Sequence, residues 1–310
     1  MTALTRPRQN RRLVRLLTGF FLLIVVGYFG ISAFITSELT LTKRRSIVAN
    51  PVADGLNVED VAFRSGRDDV ELRGWLLKAA DDQGRIVVMV HGHNAARDDS
   101  SNGMYPVAWG YVERNISVLM FDLRGCGESE GERFSLAWFE QADVRGAVRF
   151  AQERGFQHIG LHGYSMGAAS ALLAAAADPA VDALVTDSSY ADLMDVLNRE
   201  VPRRSGLPGI FTPGIVLMSR LMYGIHATEV KPAEAAAQFA PRPLLVIHGA
   251  DDGLIPANDS ERIWQARYGT GERDPATYYL VAGADHTQGF NTNKAVYLAK
   301  VGDFFAQHLK

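Results

Sequence analysis

The chain cannot close an intramolecular disulfide, because Cys126 is the one cysteine in its 310 residues. That excludes a small disulfide-stapled scaffold, although a lone thiol is tolerated in any compartment. Charge imbalance is also small: 32 basic against 35 acidic residues leave −3. No dense basic stripe occurs beyond the N-terminus, so no nucleic-acid partner is expected. There is no internal repeat and no low-complexity tract, which removes solenoids and disordered arrays. The eight histidines show no metal-binding spacing such as H-E-x-x-H, so neither a metal nor a cofactor is expected.

The sharpest local absence is of charge itself. Residues 1–15 carry Arg6, Arg8, Arg11, Arg12 and Arg15 and no acid, and then Leu16 to Ile35 holds no charged side chain. At about 1.5 Å per residue, this run spans a hydrocarbon core of about 30 Å. It has no polar face, unlike a globular surface helix. The expectation is a basic segment (1–15) and an uncleaved transmembrane anchor (16–35). The arginine bias predicts a cytoplasmic N-terminus and a C-terminal domain on the outer side. The rival reading is a signal peptide cleaved near Ile31-Ser32-Ala33, but the apolar run is long for one. Residues 36–57, broken by Asn50-Pro51 and Gly55, read as a membrane-proximal linker.

From residue 58 the pattern changes to that of a globular α/β domain, 58–310. Val61–Arg64 and Val70–Leu77 read as a hairpin around a turn-rich stretch. Four short apolar runs follow, at 85–90, 117–121, 159–161 and 183–186, and two more at 244–247 and 278–281. Strands buried on both faces of a parallel sheet look like this. Helical segments near 104–114, 137–154, 166–177, 260–268 and 295–308 lie between them. Such alternation predicts a mostly parallel sheet flanked by helices. The stretch at about 190–240 has no good strand, and Pro202, Pro208 and Pro213 break it. It reads as a small helical cap over the carboxyl end of the sheet, packing with apolar residues such as Ile215-Val216-Leu217-Met218.

The strand at 159–161 leads into His162-Gly163-Tyr164-Ser165-Met166-Gly167 and then an alanine-rich helix. Glycines two before and two after Ser165 allow a sharp strand-to-helix turn that would expose the hydroxyl at a helix N-terminus. The plainer reading is a serine that caps the helix. A serine nucleophile also needs a base and an orienting carboxylate at later strand ends. His286 is the candidate base, since it lies in a polar loop after the final strand. His91, His162 and His248 precede glycines at the ends of apolar strands and read as buried, satisfied imidazoles. For the acid, Asp251 and Asp252 compete, with Asp252 preferred and Asp187 as the alternative. The oxyanion donors would be the backbone N–H groups of Met166 and His93, with Asn94 as second choice for the latter. Asp122 reads as the anchor of the Arg124-Gly125 turn.

These pieces together resemble the α/β-hydrolase superfamily. The matching segments are His91-Gly92-His93-Asn94, Asp122-Leu123-Arg124-Gly125-Cys126-Gly127-Glu128-Ser129, Gly163-Tyr164-Ser165-Met166-Gly167, the stretch from His248 through Asp252 to Pro256, and Gly283-Ala284-Asp285-His286, in the family's order. The resemblance implies the α/β-hydrolase fold and puts the acid on Asp252. Within the superfamily, the chain looks most like membrane-anchored bacterial serine hydrolases of BEM46/ABHD-like type. A dehalogenase or epoxide hydrolase would carry Asp in place of Ser165. The function so implied is a serine hydrolase with a Ser165–Asp252–His286 triad, acting on carboxylic esters of small molecules or lipids. A peptidase or acyltransferase of the same fold is the alternative, and a non-catalytic binding protein a more distant one.

Overall fold

The computed structural model describes residues 8–310, so the first seven residues of the basic segment, Arg6 among them, lie outside the described residues. The chain divides into two compact units. One joins the residues up to Thr40 with Leu197–His226, and the other joins Leu41–Val196 with Ala227–Lys310.

The larger unit is built on one eight-stranded sheet. Its strands are β1 (Val58–Arg64), β2 (Glu71–Leu77), β3 (Arg85–Val90), β4 (Ser117–Phe121), β5 (His158–Tyr164), β6 (Val181–Asp187), β7 (Leu244–Gly249) and β8 (Tyr278–Val281). The helices, in chain order through both units, are α1 (Arg8–Thr40), α2 (Met104–Val112), α3 (Glu140–Glu153), α4 (Met166–Ala177), α5 (Leu193–Ser205), α6 (Thr212–Tyr223), α7 (Pro232–Gln238), α8 (Ala257–Tyr268), α9 (Gly289–Thr292) and α10 (Lys294–His308). The spatial order is β1-β2-β4-β3-β5-β6-β7-β8. The β1–β2 hairpin and the β2–β4 pairing are antiparallel. All the rest are parallel. This is the α/β-hydrolase fold that the sequence predicts.

The two-residue period of the strands divides the core into two layers. On one face Ile86, Val88 and Val90 of β3 join Leu119 and Phe121 of β4, and meet Val144, Val148 and Ala151 of α3 and Leu172 of α4. On the other face Val87 and Met89, with Val118 and Met120, meet Val107 and Tyr111 of α2 and Val301 and Phe305 of α10. Each fully buried Val or Leu contributes about 1.5–3 kcal/mol, so continuous apolar strands are what a doubly covered sheet requires.

The chain winds from β3 to β4 in one direction and places β5 on the opposite side of β3. A crevice opens at such a switch point beyond the carboxyl ends of the strands. β3 and β5 end there, at His91-Gly92 and at Ser165.

The Asp122–Ser129 turn braces the neighbourhood of this crevice. Arg124 is nearly buried and grips Asp143 through Nε at 3.0 Å and Nη2 at 2.7 Å. It also reaches Asp68 at 3.1 Å and Ser65 Oγ at 3.0 Å. Asp122 accepts from the backbone N–H groups of Arg97 and Glu128, closing the turn. Cys126 is buried within it, and burial together with the charges of Glu140 and Asp122 pushes its thiol up to about 12.

The segment expected as a linker behaves as two pieces. α1 continues to Thr40, and the chain from Leu41 is fastened to the larger unit. Arg44 donates to the carbonyls of Gly127, Ser129 and Gly131. The Asp98 carboxylate accepts from the N–H groups of Val48 and Ala49.

Removing Arg124 leaves the fully buried Asp143 without its cation, a loss that typically costs about 3–5 kcal/mol. Urea unfolding of Arg124→Ala should show a destabilisation of this size. A change under about 1 kcal/mol would mean that the pair is dispensable to the fold.

Candidate active site

Ser165 joins β5 to α4 at φ 53°, ψ −118°, a conformation that non-glycine residues rarely adopt. Its neighbours explain how the chain tolerates this. A Cβ on Gly163 would meet the backbone of Gly167 and Ala168, and one on Gly167 would strike the carbonyl oxygens of Val90 and His91. Strand, helix and the β3 loop thus pass within backbone contact, which only glycine permits. The Ser165 N–H donates to Asp187 O at 2.8 Å and fixes the turn from the β6 side. The hydroxyl caps no N–H of α4. It turns instead to His286 Nε2, 2.8 Å away.

His286 is held from its other side. Its Nδ1 lies 2.7 Å from Asp252 Oδ2. Because an ionised carboxylate only accepts, Nδ1 carries the proton and Nε2 is left to accept from the serine hydroxyl. The other oxygen of Asp252 accepts from the N–H groups of Leu254 and Ile255, at 2.9 and 2.8 Å. Burial opposes ionisation of Asp252, but hydrogen bonds from His248, His286 and the Ile255 N–H outweigh it, and the carboxyl sits below the usual range. The three side chains therefore form an unbroken hydrogen-bonded series, assembled from the ends of β5, β7 and β8.

The other candidates take different places. Asp251 is exposed and bonds through its backbone N–H to Ala284 O. Asp187 accepts from Tyr297 Oη at 2.7 Å and Ser188 Oγ at 2.9 Å, and burial raises its pKa. His91 is fully buried, and its Nε2 accepts from the Leu123 N–H. His162 lies 2.8 Å from Tyr111 Oη, and burial pushes its pKa down to about 3. Met166 opens α4. The loop carrying His93 begins at Gly92, where an added Cβ would stand 3.4 Å from Ser165 Cβ. Asn94 follows in a left-handed conformation, φ 54°.

Sequence reasoning missed three supports. His248, read as a satisfied core histidine, donates from Nε2 to Ile255 O at 2.9 Å and also stands 3.2 Å from Asp252 Oδ2. The four-residue separation of His248 and Asp252 across a strand-end turn was its only signal. Asp285 Oδ1 accepts the N–H groups of Gly253 and His286 and so clips the acid and base loops together. Ser188 Oγ accepts the N–H of Thr287, one residue beyond the candidate base. Among the described residues there is no cluster of His, Cys, Asp and Glu able to hold a metal ion.

A strand-to-helix elbow, a strand-end acid and a strand-end histidine on a mostly parallel sheet define a class. The model of the alpha/beta hydrolase family matches residues 87–308, and the chain belongs to that family. Its relatives include the uncharacterized protein YqkD of Bacillus subtilis, 28% identical over 63% of each chain. The uncharacterized protein YfhR of Escherichia coli K12 is 26% identical over 83% of each. Among solved structures, the esterase Pf2001 of Pyrococcus furiosus superposes with a TM-score of 0.70 at 21% identity, covering 87% of this chain and 100% of its own. At that identity the likeness speaks for the fold.

The lowered pKa of Asp252 has a sign. A carboxyl that ionises more readily in the folded state contributes stability above its unfolded pKa of about 3.9, and loses that contribution as pH falls toward the folded value. Asp252→Asn should therefore lose stability relative to wild type at pH 7, and the gap should narrow below about pH 4. Denaturant melts of both proteins across this range measure it, and a gap that stays constant would refute the linkage.

Proposed function

We propose that this protein is a serine hydrolase that cleaves carboxylic esters through an acyl-enzyme, with Ser165 as nucleophile, His286 as general base and Asp252 as the orienting acid. The observation that carries the proposal is the pair of contacts on one imidazole, 2.8 Å to Ser165 Oγ and 2.7 Å to Asp252 Oδ2. In the first half-reaction Oγ attacks the acyl carbonyl as its proton passes to His286 Nε2. Asp252 stabilises the imidazolium so formed. The backbone N–H groups of His93 and Met166 receive the oxyanion, and each such donor is worth about 10²–10³ in rate. The imidazolium then protonates the departing alkoxide. In the second half-reaction His286 takes a proton from water as it attacks the acyl-enzyme, and returns that proton to Ser165 Oγ as the acid departs.

The strained elbow supports this reading over a structural serine, because a cap would need neither the left-handed backbone nor the histidine. The solved neighbours favour esters as the bond cleaved. One is an esterase, Pf2001, and another, Est1E of Butyrivibrio proteoclasticus, holds ferulic acid. α1 is long and apolar enough to cross a membrane, and an 18-residue stretch of it reaches a mean hydropathy of 2.2. We take it as an uncleaved anchor with a cytoplasmic N-terminus. An enzyme tethered in this way meets lipid acyl esters at high local concentration.

Wild-type protein should be labelled by a fluorophosphonate probe and should turn over p-nitrophenyl esters. Ser165→Ala should abolish both. His286→Ala should remain folded and lose at least about 10²–10⁴ in kcat. Labelling that survives in Ser165→Ala would sink the assignment of the nucleophile. A panel of p-nitrophenyl esters of rising chain length, beside aminoacyl anilides, would separate esterase from peptidase: preferential anilide cleavage would overturn the ester reading.

A further inference from the structure

The unit formed by α1 and Leu197–His226 holds an apolar surface that the hydrolase chemistry does not use. α1 packs along one face, at Val25, Tyr28, Ser32 and Thr36, residues three or four apart. The partner is α6 with the turn before it. Phe211 stacks on Tyr28, with ring centroids 5.1 Å apart. Gly214 lies so close to Ser32 and the Tyr28 ring that no Cβ would fit there. The Tyr28 hydroxyl donates to Ile210 O at 2.8 Å and accepts the Gly214 N–H at 3.0 Å. Thr36 Oγ1 stands 3.1 Å from Ile215 O, and Tyr223 Oη 3.2 Å from Ser37 Oγ.

This packing sets a depth. Resting on the anchor reading above, α1 enters the bilayer after Arg15, and its next charge is Glu38. From Arg15 to Tyr28 the helix rises only about 20 Å, well short of the roughly 30 Å that a hydrocarbon core requires. From Arg15 to Glu38 it rises about 34 Å, which suffices. The levels of Tyr28 and Ser32, about 20 and 26 Å beyond Arg15, therefore fall inside the core, Thr36 lies at its far edge at about 32 Å, and what packs on Tyr28 and Ser32 lies inside too. We propose that α6 and the turn before it are embedded beside α1 in the leaflet at the C-terminal end of that helix, with hydrocarbon covering their outer face.

The composition of the segment fits that solvent. No charge occurs from Ser205 to Ser219, between Arg203-Arg204 and Arg220. From Gly206 to Ser219, every exposed residue is Gly, Pro, Ile or Leu. Ile210 is 69% exposed and Leu221 68%, and on the side of α1 turned away from this packing Phe34 is 64% exposed. Such surface is costly in water and ordinary in lipid. Backbone polar groups in hydrocarbon must find partners within the protein. Tyr28 supplies them at the start of α6, while Pro208 and Pro213 have no N–H to satisfy. Arg220, one turn before the end of α6, is placed to reach the interface. Cleavage after Ala33 would strip away Tyr28 and Ser32, so the embedded segment also requires that α1 be retained.

The test places an environment-sensitive NBD label on single cysteines introduced by Ile210→Cys, Leu217→Cys, Leu23→Cys and Glu272→Cys, all exposed positions, in the full chain reconstituted into phosphatidylcholine–phosphatidylglycerol vesicles. The native Cys126 is buried, and the unsubstituted chain gives its background. Labels at 210 and 217 should show blue-shifted emission that is lost in vesicles of acyl-brominated lipid, as at 23. Emission at 272 should respond only to aqueous iodide. If 210 and 217 behave like 272 while 23 stays in lipid, the embedding is refuted and the anchor stands. If 23 is also open to iodide, or intact mass shows that α1 has been removed, the anchor reading fails, and the embedding with it.

Discussion

The close crossing of β5, α4 and the loop after β3 is the constraint on which the rest depends. Three backbones meet around Gly163 and Gly167 with no room for a side chain. Ser165 is forced into a backbone state that costs about 1–3 kcal/mol. The strain persists because the sheet over-determines it. β5 is paired on both sides, and the Ser165 N–H is tied to the end of β6. The alanine-rich α4 lies directly on the strands, with most of its residues buried. A rigid sheet thus delivers the serine, while softer loops at the ends of β7 and β8 bring the acid and the histidine to it.

Much of this was legible in the chain itself. Continuous apolar runs locate β3, β4 and β7 because a doubly covered strand leaves no polar face. α4 spans Met166–Ala177, as the helical pattern through its alanine-rich run predicts. Boundaries shift where side chains outcompete local propensity. α3 starts at Glu140 rather than Ala137, because Leu136 and Ala137 take positive φ and the Glu140 carboxylate accepts the N–H groups of Ser135 and Ala137. α8 starts three residues earlier than its pattern suggests, directly after Pro256. Of the candidate site, Ser165, Asp252 and His286 could be picked out because each follows a strand. The support from His248 could not, since a histidine that meets a carboxylate looks the same in sequence as one that meets a carbonyl.

The two regions least visible from sequence are those fixed by distant partners. Residues 41–57 look like a linker because nothing local orders them, yet Arg44 and Asp98 fasten them across separations of about 50–90 residues. The apolar stretch around Leu217 looks like core or pocket lining, because hydropathy does not name a partner. The better clue lay in α1, whose Tyr28, Ser32 and Thr36 form a hydroxyl-bearing stripe along an otherwise largely apolar helix. Small or polar residues at this spacing mark a helix-packing face in a membrane.

The buried turn around Cys126 has a consequence for what can keep it together. Burial, with the charges of Glu140 and Asp122, holds this thiol in its protonated form at neutral pH. The sulfur is shielded from oxidants as well as weakly ionised, and there is no second cysteine with which it could pair. Cys126 therefore makes no disulfide within the folded chain, and the turn that holds it is kept together by the buried ion pair and backbone hydrogen bonds around it instead.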